Sequence, residues 1–232
     1  MAALTINQLL TQVRRMMDAV GSDRWSDAEL ADTLSYVYDA EWSRLLQAAP
    51  YYRFQSIALT TATAGTFPLS SLNTGAGNSQ KNFFRILSIN DGNVEYSETR
   101  YQDVPLGTTS AYMPYLRKFY YLAGTNYQIL PTGAVALNVV VNYKPTSLRD
   151  YVDDGATDKW DIPIDWPENS EQLLVYETAA RSLMKGGESI ATANTFLQMA
   201  NGERADFLDE ARRRTINPTR MSYSDIAADW SG

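Results

Sequence analysis

The chain has 232 residues, a formal net charge of −7 at pH 7 and 44% apolar residues, with neither cysteine nor histidine. That is enough apolar material for a core without staples. It excludes disulfides, thiolate metal sites and cysteine nucleophiles, and removes the commonest general base, leaving carboxylates, Lys, Tyr and Ser/Thr for any chemistry. The acidic balance argues against general affinity for nucleic acid, and no run approaches the roughly 20 apolar residues of a membrane span.

From the N-terminus, Ile6, Leu9, Leu10, Val13, Met16, Met17 and Val20 form the stripe of an amphipathic helix, with Thr5 and Gln8 spaced as a capping box and Gly21 as its end. The segment does not read as a leader, so neither export by that route nor a membrane anchor is expected. "WSDAEL" is a fuller start signal: Ser26 caps, Glu29 reaches back and Trp25 staples onto Leu30. The spacing predicts a second helix over 27–48, striped by Leu30, Leu34, Val37, Tyr38 and Leu45 and closed by Pro50.

From Tyr51 the period becomes two. "YRFQSIALTTAT", the hairpin "FFRILSINDGNVEYSE" turning at Asp91-Gly92, the hairpin "LRKFYYLAGTNYQIL" turning at Gly124-Thr125-Asn126, and "ALNVVVNYKP" read as strands of a small antiparallel sandwich or barrel. Residues 71–82, "SLNTGAGNSQKN", read as a flexible loop. After an acidic stretch, Leu173, Leu174, Tyr176, Ala180, Leu183 and Met184 stripe a third helix ended by Gly186-Gly187. A fourth runs from Ser189 to about Arg214, striped by Ile190, Ala193, Phe196, Leu197, Ala200, Phe207, Leu208 and Ala211.

The expected class is α+β. A discontinuous helical bundle (1–50 and 165–214) carries an inserted antiparallel β domain (51–148), an acidic connector (149–164) and an extended C-terminal docking arm (215–232). Pro218 stops the last helix. Around and beyond it Ile216, Met221, Tyr223, Ile226 and Trp230 are mixed with Arg220, Asp225 and Asp229, a composition that favours an arm ordering on a partner over a solvated tail. The other reading folds the arm back on its own bundle.

Other constellations are weaker. Asp150, Asp154, Gly155, Asp158 and Asp161 fall at positions of a calcium-loop template, but Val152 and the terminal Asp depart from it, and the stretch reads as a solvated connector. Asp153, Asp154 and Asp158 could pair for acid–base hydrolysis only in a dry pocket that such a loop does not supply. Arg212-Arg213-Arg214 closes the last helix, where cations offset the helix dipole. Trp160 and Trp166 look like anchors for the connector. No metal or cofactor is expected.

In order and type of elements the chain resembles the head-to-tail adaptor (connector) proteins of tailed bacteriophages. The resemblance is carried by "RWSDAELADTLSYVYDAEW", by "YYLAGTNYQILPTG" followed by "NVVVNYKPTSL", and by "ENSEQLLVYETAARSLMKGGES". It implies a non-enzymatic virion protein of the neck, assembled in the host cytoplasm. Such a protein forms a twelve-fold ring beneath the portal protein, extends the channel through which genomic DNA passes without specific binding, and meets tail or nozzle proteins below. It also implies that the C-terminal segment clasps the portal. The alternative is a carbohydrate- or receptor-binding β module in which Tyr112, Tyr115, Tyr120, Tyr121 and Tyr127 stack on sugars.

Overall fold

The computed structural model describes residues 4–18, 24–100, 118–130, 132–153, 155, 157–167, 169–186 and 190–214. Helix α1 (Ile6–Asp18) starts where Thr5 donates its amide to Gln8 Oε1 at 3.1 Å and Gln8 donates its own to Thr5 Oγ1 at 3.3 Å. Helix α2 (Asp27–Ala48) starts with the reciprocal Ser26–Glu29 box. Helices α3 (Glu171–Gly186) and α4 (Ile190–Arg214) follow the connector. All four contribute buried residues to one apolar core, and α3 touches each of the other three. The α3–α4 contact is the most extensive between helices. Small side chains are among those buried on both helices, Ala179 and Ala180 on α3 and Ala193, Ala200 and Ala211 on α4.

The connector contributes Tyr151 and Ile164 to this core, and the residues that follow it pack there too. Trp166 is 7% exposed and packs against Tyr38, Trp42 and Phe207, at ring-centroid distances of 5.7, 5.8 and 5.7 Å. The Asp165 carbonyl accepts from Tyr38 Oη at 2.9 Å and from Trp42 Nε1 at 3.2 Å, while its carboxylate is held by Arg53. Trp160 is partly buried, and its carbonyl accepts the Asn7 amide at 3.0 Å. Two residues assigned to apolar stripes face outward: Met184 is 41% and Ile190 65% exposed.

The strands are β1 (Phe54–Thr60), β2 (Thr66–Pro68), β3 (Lys81–Asn90), β4 (Glu95–Glu98), β5 (Phe119–Ala123), β6 (Asn126–Leu130) and β7 (Ala136–Pro145). They form one curled sheet, a half-barrel, in the order β1-β7-β3-β4-β5-β6-β2. The expectation of a fully antiparallel sandwich or closed barrel is corrected: β4 and β5 pair in parallel, so the sheet is mixed. A parallel pair is joined by a crossover and not by a tight turn, a connection hairpin signals do not report. The sheet buries Ile86, Ile89, Tyr96, Ile129, Val139 and Val141 in a second apolar cluster.

Residues 71–82 are also more ordered than their composition predicts. Asn73 Oδ1 accepts the Phe83 amide at 2.8 Å, Asn78 exchanges bonds with the Val152 backbone at 2.8 and 3.0 Å, and the Thr146 hydroxyl donates to the Gly77 and Gln80 carbonyls. Gly75, at φ +77°, permits the turn: a Cβ there would sit 2.9 Å from the Ser79 carbonyl oxygen.

Candidate functional site

Three charged residues occupy core positions of three helices. Glu41 falls on the α2 stripe with Leu34, Tyr38 and Leu45, Glu177 on the α3 stripe with Leu173 and Ala180, and Arg204 on the α4 stripe with Ala200, Phe207 and Ala211. The helical period of 3.6 turns all three inward. The two carboxylates are each 1% exposed and Arg204 is 18% exposed. Arg204 Nε donates to both Glu41 oxygens, at 3.2 and 3.0 Å, and its Nη2 to Glu41 at 3.0 Å and also to Glu177. Arg181 closes the other side of Glu177 at 2.8 and 2.6 Å, and Arg44 pairs with Glu41 and lies 3.6 Å from Glu177.

Burial and the adjacent Glu177 raise the Glu41 carboxyl above its ordinary value despite Arg204. Burial acts in the same direction on Glu177, but hydrogen bonds from Glu41 and Arg181, together with the Arg204 charge, carry it below. Two carboxylates with divergent proton affinities are the pattern of an acid–base pair. Here, however, three guanidinium groups cap them, and neither of the two clefts described below includes either carboxylate. The arrangement clamps three helices together. Sequence reading missed it, although a charge on each of three apolar stripes was a legible signal.

A second charged contact organises the sheet. Asp91 Oδ1 accepts the amides of Asn93 and Val94 at 3.1 and 3.0 Å, and Oδ2 accepts Tyr96 Oη at 3.3 Å and Lys118 Nζ. Lys118 immediately precedes β5, so the pair ties the β3–β4 turn to the parallel neighbour. Burial raises the Asp91 carboxyl, but the Lys118 and backbone hydrogen bonds outweigh it and leave the pKa at about 2. A depressed carboxylate stabilises the fold above its unfolded value of 3.8 and loses that contribution as pH falls towards about 2. Urea midpoints taken from about pH 5 down to about pH 2 should therefore fall more for the wild type than for Asp91→Asn, by roughly 1 kcal/mol once solvent screening is allowed for. Equal falls would remove the ion pair from the account.

Among the described residues, open clefts lie on the surface of the sheet and beside the connector. One of about 670 Å³ runs along β3, β4 and β5 past Tyr51, Arg85, Glu95 and Glu98. The other, about 380 Å³, lies where residues 162–165 cross the 78–81 turn. Among the described residues no group of three or more acidic side chains could hold a metal, and no helix is long and apolar enough to cross a membrane. The connector acids serve local bonds: Asp153 accepts the Lys159 amide, Asp158 the Trp160 amide and Asp161 the Asn7 side chain. Arg213 pairs with Asp209 one turn earlier. Of the tyrosines weighed as a sugar platform, Tyr120 is 5% exposed and Tyr127 stacks on Phe67 at 5.5 Å, so the core takes their faces. Tyr112 and Tyr115 lie outside the described residues, as do Ile216, Pro218, Arg220, Met221, Tyr223, Ile226 and Trp230 of the arm.

The family described as SU10 adaptor protein matches the chain over residues 4–222. No curated protein matches it.

Proposed function

The chain belongs to the SU10 adaptor protein family, a family of phage structural adaptors, and from that premise we propose that it is the head-to-tail adaptor of a tailed bacteriophage. In this reading about twelve copies form a ring under the portal protein, extend the channel for genomic DNA, and present the attachment surface for tail or nozzle proteins. The helical segments 1–50 and 165–214 are the ring body as a bundle, 51–148 the inserted domain, 149–164 the connector and 215–232 the docking arm. The protein acts in the virion neck, after assembly in the host cytoplasm, and makes or breaks no bonds.

The observation that carries the reading is the family match, which spans the helices and the sheet and continues into the arm to residue 222. Charge supports it: a ring of chains at −7 each repels DNA phosphate and lets it slide. The composition of the arm supports a partner outside the chain. Ile226 and Trp230 stand four apart behind Ser224, the spacing of a short helical anchor whose groove is on the portal.

Removing residues 216–232 should leave the circular dichroism spectrum and urea midpoint within about 0.5 kcal/mol of wild type and abolish capture by purified portal rings. Ile226→Asp with Trp230→Asp should do the same in the full-length chain. Undiminished capture by both variants defeats the arm assignment. Absence of this chain from purified virions by mass spectrometry defeats the adaptor reading itself.

A further inference from the structure

Strand β1 ends the sheet. Among the described residues its backbone pairs with β7 alone, over seven consecutive positions with no register shift, and no other backbone hydrogen bond reaches Phe54–Thr60. Exposed edges of this kind template further strands, and proteins ordinarily blunt them with charges, prolines or bulges. β1 has none of these. Its sequence is FQSIALT, and residues 54–80 contain no Asp, Glu, Lys or Arg in a chain that is 20% charged. Phe54, Ser56, Ala58 and Thr60 are exposed, while Gln55, Ile57 and Leu59 are half-buried on the other face.

We propose that the β1 edge pairs antiparallel, about a two-fold axis at Ile57, with the β1 edge of a second copy of this chain, making the free protein a dimer with a continuous sheet. Three observations select a second copy. An uncharged stretch lets two chains of −7 each approach without local like-charge repulsion, and β1 lies in one. The strand also matches itself. Turned about Ile57, Phe54 faces Thr60, Ser56 faces Ala58 and Gln55 faces Leu59, so each pair lies on one face of the sheet and no like charges meet. Finally, the opposite edge cannot be the mate. β2 is three residues long and ends at Pro68, which has no N–H, and the Thr66 carbonyl already takes the Ala62 amide at 3.1 Å.

A single edge then suffices, because a two-fold contact uses the same patch on both partners. Neighbours in a polar ring are not related by such an axis. The dimer is therefore a state of the unassembled chain, which opens when the ring forms and keeps β1 from pairing with unrelated strands beforehand. This stands independently of the arm.

The test uses the full-length protein in sedimentation velocity over a range of concentrations. Wild type should reach a dimer, and Ala58→Lys, at an exposed edge position, should raise the dissociation constant at least about tenfold with an unchanged circular dichroism spectrum. Thr60→Lys is the second variant should the first not fold. Because the chain has no cysteine, Ser56→Cys with Ala58→Cys places facing thiols only across the proposed pair, and mild oxidation should give a covalent dimer on a non-reducing gel. A wild-type chain that stays monomeric, forms rings without a dimer, or dimerises equally well with the lysine overturns the proposal.

Discussion

Arg204→Met lowers the stability of the chain by about 3–5 kcal/mol, read as a shift of the urea midpoint at constant slope, because it leaves two buried carboxylates facing each other. Glu41 and Glu177 are 1% exposed, and the remaining cations, Arg44 and Arg181, are 43% and 34% exposed at the rim. They cannot replace a guanidinium that reaches both carboxylates from α4. Desolvation makes the loss asymmetric. Taking both charges away as well, in Arg204→Met with Glu41→Gln and Glu177→Gln, should recover at least about 1 kcal/mol relative to the single variant, since neutral amides cost less to bury. A single-variant loss under about 1 kcal/mol, or no recovery in the triple variant, would show that the cluster is solvated and contributes little. α4 buries few large apolar side chains, Phe207 being the main one among three alanines. Its attachment therefore leans on this clamp, and hydrogen exchange in the single variant should accelerate first along α4.

Trp166→Ala is expected to cost a similar amount, about 3–5 kcal/mol, for an apolar reason. The indole fills the junction where the connector meets α2 and α4, with Tyr38, Trp42 and Phe207 on its faces and edge. Truncation opens a cavity among side chains that other contacts pin. Trp42 is fully buried, and its Nε1 also donates to the Asp165 carbonyl. The two tryptophans separate under a milder change. Among the described residues nothing accepts from the buried Trp166 Nε1, so Trp166→Phe gives up no hydrogen bond there and loses only area. Trp42→Phe loses both area and a hydrogen bond and should be the more damaging by about 1 kcal/mol. Equal midpoints for the two phenylalanine variants would contradict that assignment.

Much of the helical part was legible because its signals are local. The Thr5–Gln8 and Ser26–Glu29 boxes lie within one turn of the helices they open, and the stripes of α1 and α2 name most of what those helices bury. The stripe argument weakened at helix ends, where Met184 and Ile190 continue the period beyond the packed face. It also hid the charge cluster, since an apolar pattern is read by skipping charges, and Glu41, Glu177 and Arg204 find one another only across separations of 27 residues or more. In the sheet, both hairpin turns were readable, at Asp91-Gly92 and Gly124-Thr125. Strand order was not. That β7 lies between β1 and β3, and that β4 runs parallel to β5, follows from closing a curved sheet over one core.

The sequence by itself determined the four helices, the longer strands, the absence of thiol and imidazole chemistry, and the family, because capping, periodicity and composition act over a few residues or over the chain as a whole; the three-residue β2 is too short to carry a period. Only the tertiary structure decided which charges are buried together, which tyrosines are consumed by the core, and that β1 is the open edge of a mixed sheet. Those outcomes depend on which distant segments become neighbours, and that is set by the competition of all apolar faces for shared interiors, a quantity no local window contains.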